Sequence, residues 1–369
     1  MASSRIRVGI VGASTKGFAP MSHIPALRAL PDDFEIVAVS TSSQKSAEAA
    51  AKHHGIPLAF ANAEALAEHP EVDLVTVCVK APDHHRPVMA AIAAGKHVYC
   101  EWPLAQNTAA AVEMRDAAVA RGIQHAVGLQ GQVDPTINYV RDLIAEGFIG
   151  RPLAAALIAN APNWGSTLSG VYQADAANGA NLLTVTGGHN ADLLCHMLGE
   201  FRELAGYVVS QRDTIPEHGT DRHIPKTSPD QLAISGLIGE GIAVSLQIRG
   251  GVTRGTPLLL EIHGAAGDLV ITATEWQSTQ RQDLLLKGAQ GEKGPLIDLP
   301  IPDSYRWVPA NTPRGTPYNI AQLYLRLATA IRGGTAVYPD FNAAVTRHRM
   351  LDAMVRASVT GQKQVVSGG

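Results

Sequence analysis

Gly12, Ser14 and Gly17 occupy the three small-residue positions of a G-x-G-x-x-G loop, directly after the apolar run 7–11. The first glycine permits a tight turn. The second position, serine here, is small enough to let the backbone approach a pyrophosphate. A helix following Gly17 would offer free N–H groups to the phosphates. Thr15 and Lys16 complete that loop. The second β-branched run, 35–39, leads into Ser40, Thr41, Ser42, Ser43, Gln44 and Lys45. An acid that would bind a ribose 2′-hydroxyl is absent there. Thr41, Ser42 and Lys45 can instead hold a 2′-phosphate, which favours NADP over NAD. The same hydroxyls could also simply cap a helix, with Lys45 in solvent. Later in the chain, His189, Asp192 and His196 recur at i, i+3 and i+7 on one helical face. That spacing can bind zinc, but no metal is assigned to it.

These groups must be positioned by the elements around them. Residues 7–11, 35–39, 60, 74–79, 97–100 and 124–128 read as strands. Helical stretches at 22–30, 45–53, 86–94 and 109–120 alternate with them, and glycines stop several. Strict β/α alternation with short loops predicts a parallel sheet covered on both faces, with ligands beyond the carboxyl ends of its strands. Lys80 and His84 after the fourth strand, Glu101 and Trp102 after the fifth, and Gln130 after the sixth therefore join the candidate cofactor set. His85 is either a substitute acid or a solvent-exposed residue. After Gly128 the texture changes. A helix at 135–146 is followed by strand-like runs at 153–158, 205–209, 232–238, 242–248, 258–263 and 269–272, with a helix at 190–198 among them. Strands without intervening helices predict an α+β domain with a large, mostly antiparallel open sheet. The domains are placed at 1–128 and 129–369. Helices at 320–332 and 343–358 can pack back on the first. Residues 215–228 read as an exposed polar loop.

The bulk properties agree with a globular protein of two domains. The chain has 369 residues, 46% of them hydrophobic, and a formal net charge of −3. That charge gives no support to nucleic-acid or anionic-membrane binding. No apolar run is long enough to span a bilayer, and the N-terminus has no secretory h-region. Cys78, Cys100 and Cys195 form no CxxC pair, which fits a reducing cytoplasm.

The segments HIPAL at 23–27, AAGKHVYCEWPLA at 93–105, DLIAEGFIGRP at 142–152, GGHNADLL at 187–194 and HGAAGDLVI at 263–271 resemble the Gfo/Idh/MocA oxidoreductases along nearly the whole chain. KGFAPMSHIPAL, EWPLA, LQGQ and PKTSPDQL are most similar to the branch of the fungal galactose-regulon repressor, which binds dinucleotide yet regulates transcription. The resemblance implies a Rossmann domain and NAD or NADP. It also implies a Glu-Lys-Pro segment whose lysine helps move the alcohol proton, and an aspartate four residues before a histidine. Here the first is Glu101-Trp102-Pro103, and Val185 stands four residues before His189. Indole cannot exchange a proton at neutral pH.

His189 is thus the leading catalytic candidate, its alternative being a histidine that hydrogen-bonds a sugar or caps a helix. Trp102 can stack on a sugar or nicotinamide ring. Trp164, Tyr172 and Asp175 can line the same substrate cleft, as can His189. Lys226 is either a replacement amine or an exposed loop lysine. Asp192 is expected to be structural, and His84 matches a family histidine that is expected to be structural. The expected activity is an NAD(P)-dependent oxidoreductase on a sugar, polyol or related hydroxy or keto compound, with an altered proton relay. The competing readings are a non-catalytic dinucleotide sensor that binds a partner protein, and a lyase or epimerase using the cofactor transiently. A homodimer or homotetramer is expected from the resemblance.

Overall fold

The computed structural model describes residues 5–162, 164, 170–217, 220–251, 254–275 and 283–366. The chain divides into two compact units. Unit 1 comprises 1–130 and 307–345, and unit 2 comprises 131–306 and 346–369.

Unit 1 is built on six parallel strands: β1 (Ile6–Val11), β2 (Phe34–Ser40), β3 (Leu58–Phe60), β4 (Leu74–Val77), β5 (His97–Cys100) and β6 (His125–Val127). Their order, β3-β2-β1-β4-β5-β6, is that of a Rossmann sheet. The strands are buried on both faces, which explains their continuous apolar sequence. Between them lie α1 (His23–Arg28), α2 (Gln44–His54), α3 (Ala63–Glu68), α4 (His85–Ala93) and α5 (Thr108–Arg121). Side-chain caps start three of these helices. Ser43, Asn62 and Asn107 each accept from the amide three residues on. Gly55 and Gly122 end α2 and α5 in the left-handed conformation.

Unit 2 carries a nine-stranded mixed sheet and a two-stranded ribbon. Its strands are β7 (Pro152–Ala161), β8 (Phe201–Val209), β9 (Thr214–Pro216), β10 (His223–Pro225), β11 (Gln231–Ile238), β12 (Ile242–Gly250), β13 (Leu258–Gly264), β14 (Gly267–Ala273), β15 (Leu285–Gln290), β16 (Ile297–Asp298) and β17 (Gln364–Val365). The large sheet runs β16-β15-β14-β13-β7-β12-β11-β8-β17. Every pairing in it is antiparallel except β12 with β7. Period-two alternation sorts its residues. Leu232, Ile234 and Ile238 are buried, whereas Ala233 and Ser235 are exposed. Tyr207 on β8, opposite Ala233, shares that exposed face. Two helices, α6 (Pro135–Ala145) and α7 (Gly188–Leu198), pack on each other, and α7 meets β7. A π-helical turn, Leu183–Gly187, feeds α7. The last helices are α8 (Thr316–Ile331) and α9 (Phe341–Thr360). The chain returns to unit 1 at Trp307, so α8 packs on α1 there. It passes into unit 2 within α9, after Val345.

The segment 215–228 departs from the expected exposed loop. It contributes the β9–β10 ribbon, with Ile215 paired to Ile224. Ile215, Lys226 and Ser228 are buried. Residues 218 and 219 lie outside the described residues. The Lys226 ammonium meets Ser210 Oγ at 2.9 Å, Asp230 Oδ2 at 3.2 Å and the Ser228 carbonyl. Lys226 is therefore a buried structural cation rather than an exposed loop lysine, because Asp230, fully buried itself, supplies the opposite charge. Removing one partner of a buried pair strands the other and costs about 3–5 kcal/mol. Arg212, 3.4 Å from Asp230, offsets part of this. Lys226→Met is expected to destabilise the protein by about 3 kcal/mol, read from the urea midpoint. An unchanged midpoint would show that Asp230 does not depend on Lys226.

Candidate dinucleotide site

The glycine loop forms where β1 ends. Gly12 has φ of 99°, and a Cβ there would lie 2.9 Å from Val79 Cγ1 and 3.0 Å from the Cys78 carbonyl carbon. Both conformation and space exclude a side chain. Its amide donates to the Ser40 carbonyl at 2.9 Å, pinning the loop to the end of β2. Ser14, Thr15 and Lys16 are exposed, and the Gly17 amide turns back to the Ser14 carbonyl at 3.0 Å. The helix expected over 22–30 forms there as α1 and does not open directly at Gly17. A single 3₁₀ turn, Ala19–Met21, intervenes and α1 begins at His23. Pro20 within KGFAPMSH breaks the register of a continuous helix start. An anion at this loop would thus meet the loop's own amides rather than a helix N-terminus.

After β2, the hydroxyls have local work. Thr41 Oγ1 lies 2.6 Å from Ser46 Oγ and donates to the Ser43 carbonyl at 3.2 Å. Ser43 caps α2. Ser42 and Lys45 are exposed. After β4, Lys80 begins a 3₁₀ turn, Ala81–Asp83, and its own side chain is exposed. His84 is buried, with Nδ1 2.9 Å from the Pro103 carbonyl and Nε2 3.1 Å from the Val79 carbonyl. It ties the turn after β4 to the Glu101-Trp102-Pro103 turn after β5. Burial pushes its pKa down, against the pull of those carbonyls and of Glu101. His85 is on the surface, paired with Glu113 at 3.0 Å.

Glu101 stands at the centre of a network within unit 1. Gln130 Nε2 donates to both carboxylate oxygens, at 3.0 and 3.1 Å. His23 Nε2 lies 3.2 Å from Oε1. On its other side, His23 Nδ1 is 2.8 Å from the Tyr324 hydroxyl, which is 2.9 Å from Thr76 Oγ1. Tyr99 packs on Tyr324 at 5.0 Å between ring centroids. Burial first, then the Glu101 charge, holds the Tyr99 hydroxyl well above its usual range, so it stays protonated. Gly128 leaves room for this arrangement, since a Cβ there would fall 2.8 Å from Glu101 Oε1. Trp102 itself is buried. His23 and Tyr324 were not among the sequence-derived candidates, although His23 opens the HIPAL segment.

In unit 2, His189 is buried on the second residue of α7, just after the π turn. Such turns recur at functional sites because they re-aim side chains. Asp192 does not join His189 and His196 in a metal cluster. It accepts from Gln132 Nε2 at 2.8 Å and lies 3.5 Å from Arg347 Nε, while His196 Nε2 is 3.4 Å from Arg141. Arg347, also buried, makes a second ion pair with Glu200. Among the described residues no three His, Cys, Asp or Glu side chains gather as metal ligands. Trp164 is buried and Tyr172 half-buried. Asn163 and Gly165, beside Trp164, lie outside the described residues. The Asp175 carboxylate accepts from the Ala177 amide at 2.9 Å and from Thr227 Oγ1 at 3.2 Å. Those bonds give it a local structural role at the surface.

Residues 6–129 match the oxidoreductase family with an NAD-binding Rossmann fold, and residues 135–273 match the C-terminal domain of Gal80p. The dehydrogenase aclE of Aspergillus oryzae is 30% identical over 395 residues, covering 98% of each chain. The chain belongs to the Gfo/Idh/MocA oxidoreductase family. Within that family it lies near Gal80. The galactose/lactose metabolism regulatory protein GAL80 of Saccharomyces cerevisiae is 29% identical over 288 residues, 72% of this chain and 66% of that one. The crystal structure of the transcriptional regulator Gal80p from the Kluyveromyces yeast is 26% identical. It superposes with a TM-score of 0.86 over 100% of this chain and 95% of that chain. The family fold is thus an NAD-binding Rossmann unit followed by a mixed, mostly antiparallel sheet. None of the described helices is long and apolar enough to cross a membrane.

Asp192 gives a pH-dependent stability with a definite sign. Burial pushes its pKa up to about 7, despite the opposing pull of Arg347 and Gln132. An unfolded aspartate titrates near about 3.9. Between those values the native state holds a proton the unfolded chain has released. The Asp192 contribution is full below about pH 4 and is lost as pH rises towards about 7. Urea midpoints of wild type and Asp192→Asn across pH 4–8 are expected to converge at the acidic end and diverge above it. Parallel curves would mean that Asp192 does not titrate in this range.

Proposed function

We propose that the protein is an NAD(P)-dependent oxidoreductase acting on a sugar, polyol or related hydroxy or keto compound, with a proton relay that lacks the family lysine. The observation that carries this reading is the likeness to a dehydrogenase over 98% of both chains. Inositol 2-dehydrogenase and levoglucosan dehydrogenase, each named for a polyol or sugar, are also among the chains similar to this one. The dinucleotide would take Gly12, Ser14, Thr15, Lys16 and Gly17 for its phosphates. Thr41, Ser42 and Lys45 would face the adenosine ribose. Lys80, His84, Glu101, Trp102 and Gln130 would lie towards the nicotinamide end, His84 by bracing the loops that frame it. His189 is the candidate acid/base, because an imidazole can exchange a proton near neutrality. Trp102 would stack on a sugar or nicotinamide ring, and Trp164 and Tyr172 are candidate substrate contacts in unit 2. Asp175 would act by holding the 172–178 turn that presents Tyr172.

Thr41 and Ser43 are already engaged at the start of α2, which leaves Ser42 and, as the charged group, Lys45 to meet a 2′-phosphate. NADP is therefore favoured over NAD. Lys45→Ala is expected to weaken NADPH about tenfold, worth about 1.4 kcal/mol, and NADH hardly at all, in fluorescence titrations. Equal weakening of both would remove the basis for the NADP preference.

A second reading is favoured by Trp102 and Val185, which remove two proton-handling groups. In it the protein is a dinucleotide sensor that acts through a partner protein; its GAL80 relative is named a regulatory protein of galactose and lactose metabolism. The exposed face of the nine-stranded sheet is read as the surface for a homodimer or homotetramer. Three buried free cysteines suit a reducing cytoplasm. The deciding experiment titrates NADPH and NADH. It then follows nicotinamide absorbance with myo-inositol, D-glucose, D-galactose and their keto counterparts. Turnover lost by about 100-fold or more in His189→Ala supports the enzyme with His189 as acid/base. Tight binding without turnover on any compound, in either direction, supports the sensor.

A further inference from the structure

Removing hydride from a carbinol carbon leaves the hydroxyl proton to be taken up, and Trp102 offers only a donor. We infer that Glu101 takes that proton and passes it to His23, a buried base held behind it by Tyr324 and Thr76. The inference rests on the oxidoreductase reading, supplies a proton sink where the family lysine is absent, and assigns the hydroxyl proton to Glu101 instead of His189, which keeps its alternative role of hydrogen-bonding the sugar.

The geometry is that of a chain with one vacancy for a proton. His23 is fully buried, with Glu101 on its Nε2 side and Tyr324 on its Nδ1 side. The Nδ1 contact is a good hydrogen bond at 2.8 Å. The Nε2 contact, although 3.2 Å from Oε1, is not aligned as a hydrogen bond, so among the described residues Nε2 has no hydrogen-bond partner. A neutral imidazole carries one N–H. Placed on Nδ1, it donates to the Tyr324 oxygen. Tyr324 then donates to Thr76, and Nε2 keeps a lone pair 3.2 Å from Glu101 Oε1. Burial holds the Tyr324 hydroxyl well above its usual range, so it serves as a hydrogen-bonding spacer and not as a proton source. Gln130 donates to both Glu101 oxygens and fixes the carboxylate, whose side chain is 12% exposed. Tyr99, Cys78 and Cys100, also against this chain, are pushed upwards by burial and by Glu101, and His84 is pushed down by burial, so all four remain neutral.

The step balances. A bound oxidised nicotinamide would supply the acceptor for the substrate C–H electron pair, taken as hydride. The O–H bond breaks as its proton passes to Glu101, and the carbonyl forms. The proton then moves from Glu101 to His23 Nε2, giving an imidazolium beside a carboxylate, a charge-assisted pair stronger than the contact it replaces. Such contacts tighten when ligand is bound.

The test has two readouts. In protein labelled with ¹⁵N-histidine, His23, assigned by its loss in His23→Gln, is expected as the Nδ1-protonated tautomer, and Tyr324→Phe is expected to shift it to Nε2. An Nε2-protonated His23 in the wild type overturns the inference whether or not the protein is an enzyme. For turnover on the compound from the sugar and polyol panel, Glu101→Gln is expected to lower kcat about 100-fold or more. His23→Gln should lower it at least tenfold, with NADPH affinity kept within threefold and melting temperature near wild type. Formate is expected to restore part of the activity of Glu101→Ala. If the wild type turns over and both Gln variants keep its kcat, the relay is wrong while the oxidoreductase reading stands. If the wild type binds dinucleotide but turns over nothing, the oxidoreductase reading and the relay fall together.

Discussion

A tyrosine hydroxyl buried without partners costs several kcal/mol on the harsher transfer scales, and Tyr324 avoids that cost by reaching two. It comes from α8, near the end of the chain, and meets Thr76 in β4 and His23 in α1. Its ring packs against Phe34 and Tyr99, so one side chain draws together β2, β4, β5 and α1. The Rossmann unit is therefore not complete in its first 130 residues. Its polar interior closes only when the returning segment supplies α8. The same contacts place His23 beside Glu101, so the constraint that completes the fold also braces the carboxylate that follows β5.

Unit 2 meets a similar problem with formal charges. Arg347 is buried between Asp192 and Glu200, and Gln132 holds the remaining face of Asp192. Lys226 and Asp230 form a second buried pair. Pairs of this kind often add little net stability over a well-packed apolar core, but losing one member is costly. Their effect is to fix which segments meet. Arg347 ties α9 to α7, and Lys226 ties the β9–β10 ribbon to the start of β11.

The choice between enzyme and regulator turns on proton chemistry rather than on fold, since one architecture serves both functions among its relatives. Trp102 replaces an amine with an indole and Val185 replaces a carboxylate with an alkyl group. What remains ionisable is Glu101 with His23 in one unit and His189 in the other. A buried polar chain with well-formed bonds at every joint but one is what a poised proton acceptor requires.

The alternation of β1 to β6 with their helices was legible because it is written in local periodicity, glycine stops and apolar runs. Gly12 was legible because no other residue suits that turn. The antiparallel runs of unit 2 were legible too, though not the β9–β10 ribbon or strands β15 to β17, which are short or weakly patterned. The loss of lysine at Trp102 needed only the sequence, since indole chemistry does not depend on surroundings. Lys226 looked like a surface lysine, because nothing in PKTSPDQL reveals that Asp230 would be buried beside it. His23 and Tyr324 lie 301 residues apart, and no local pattern marks them as partners. Residue type and spacing thus determined the sheet, the glycine loop and the missing amine. Tertiary structure alone decided which polar side chains were buried together, because hydrogen bonds and ion pairs between distant segments exist only once the chain has closed on itself.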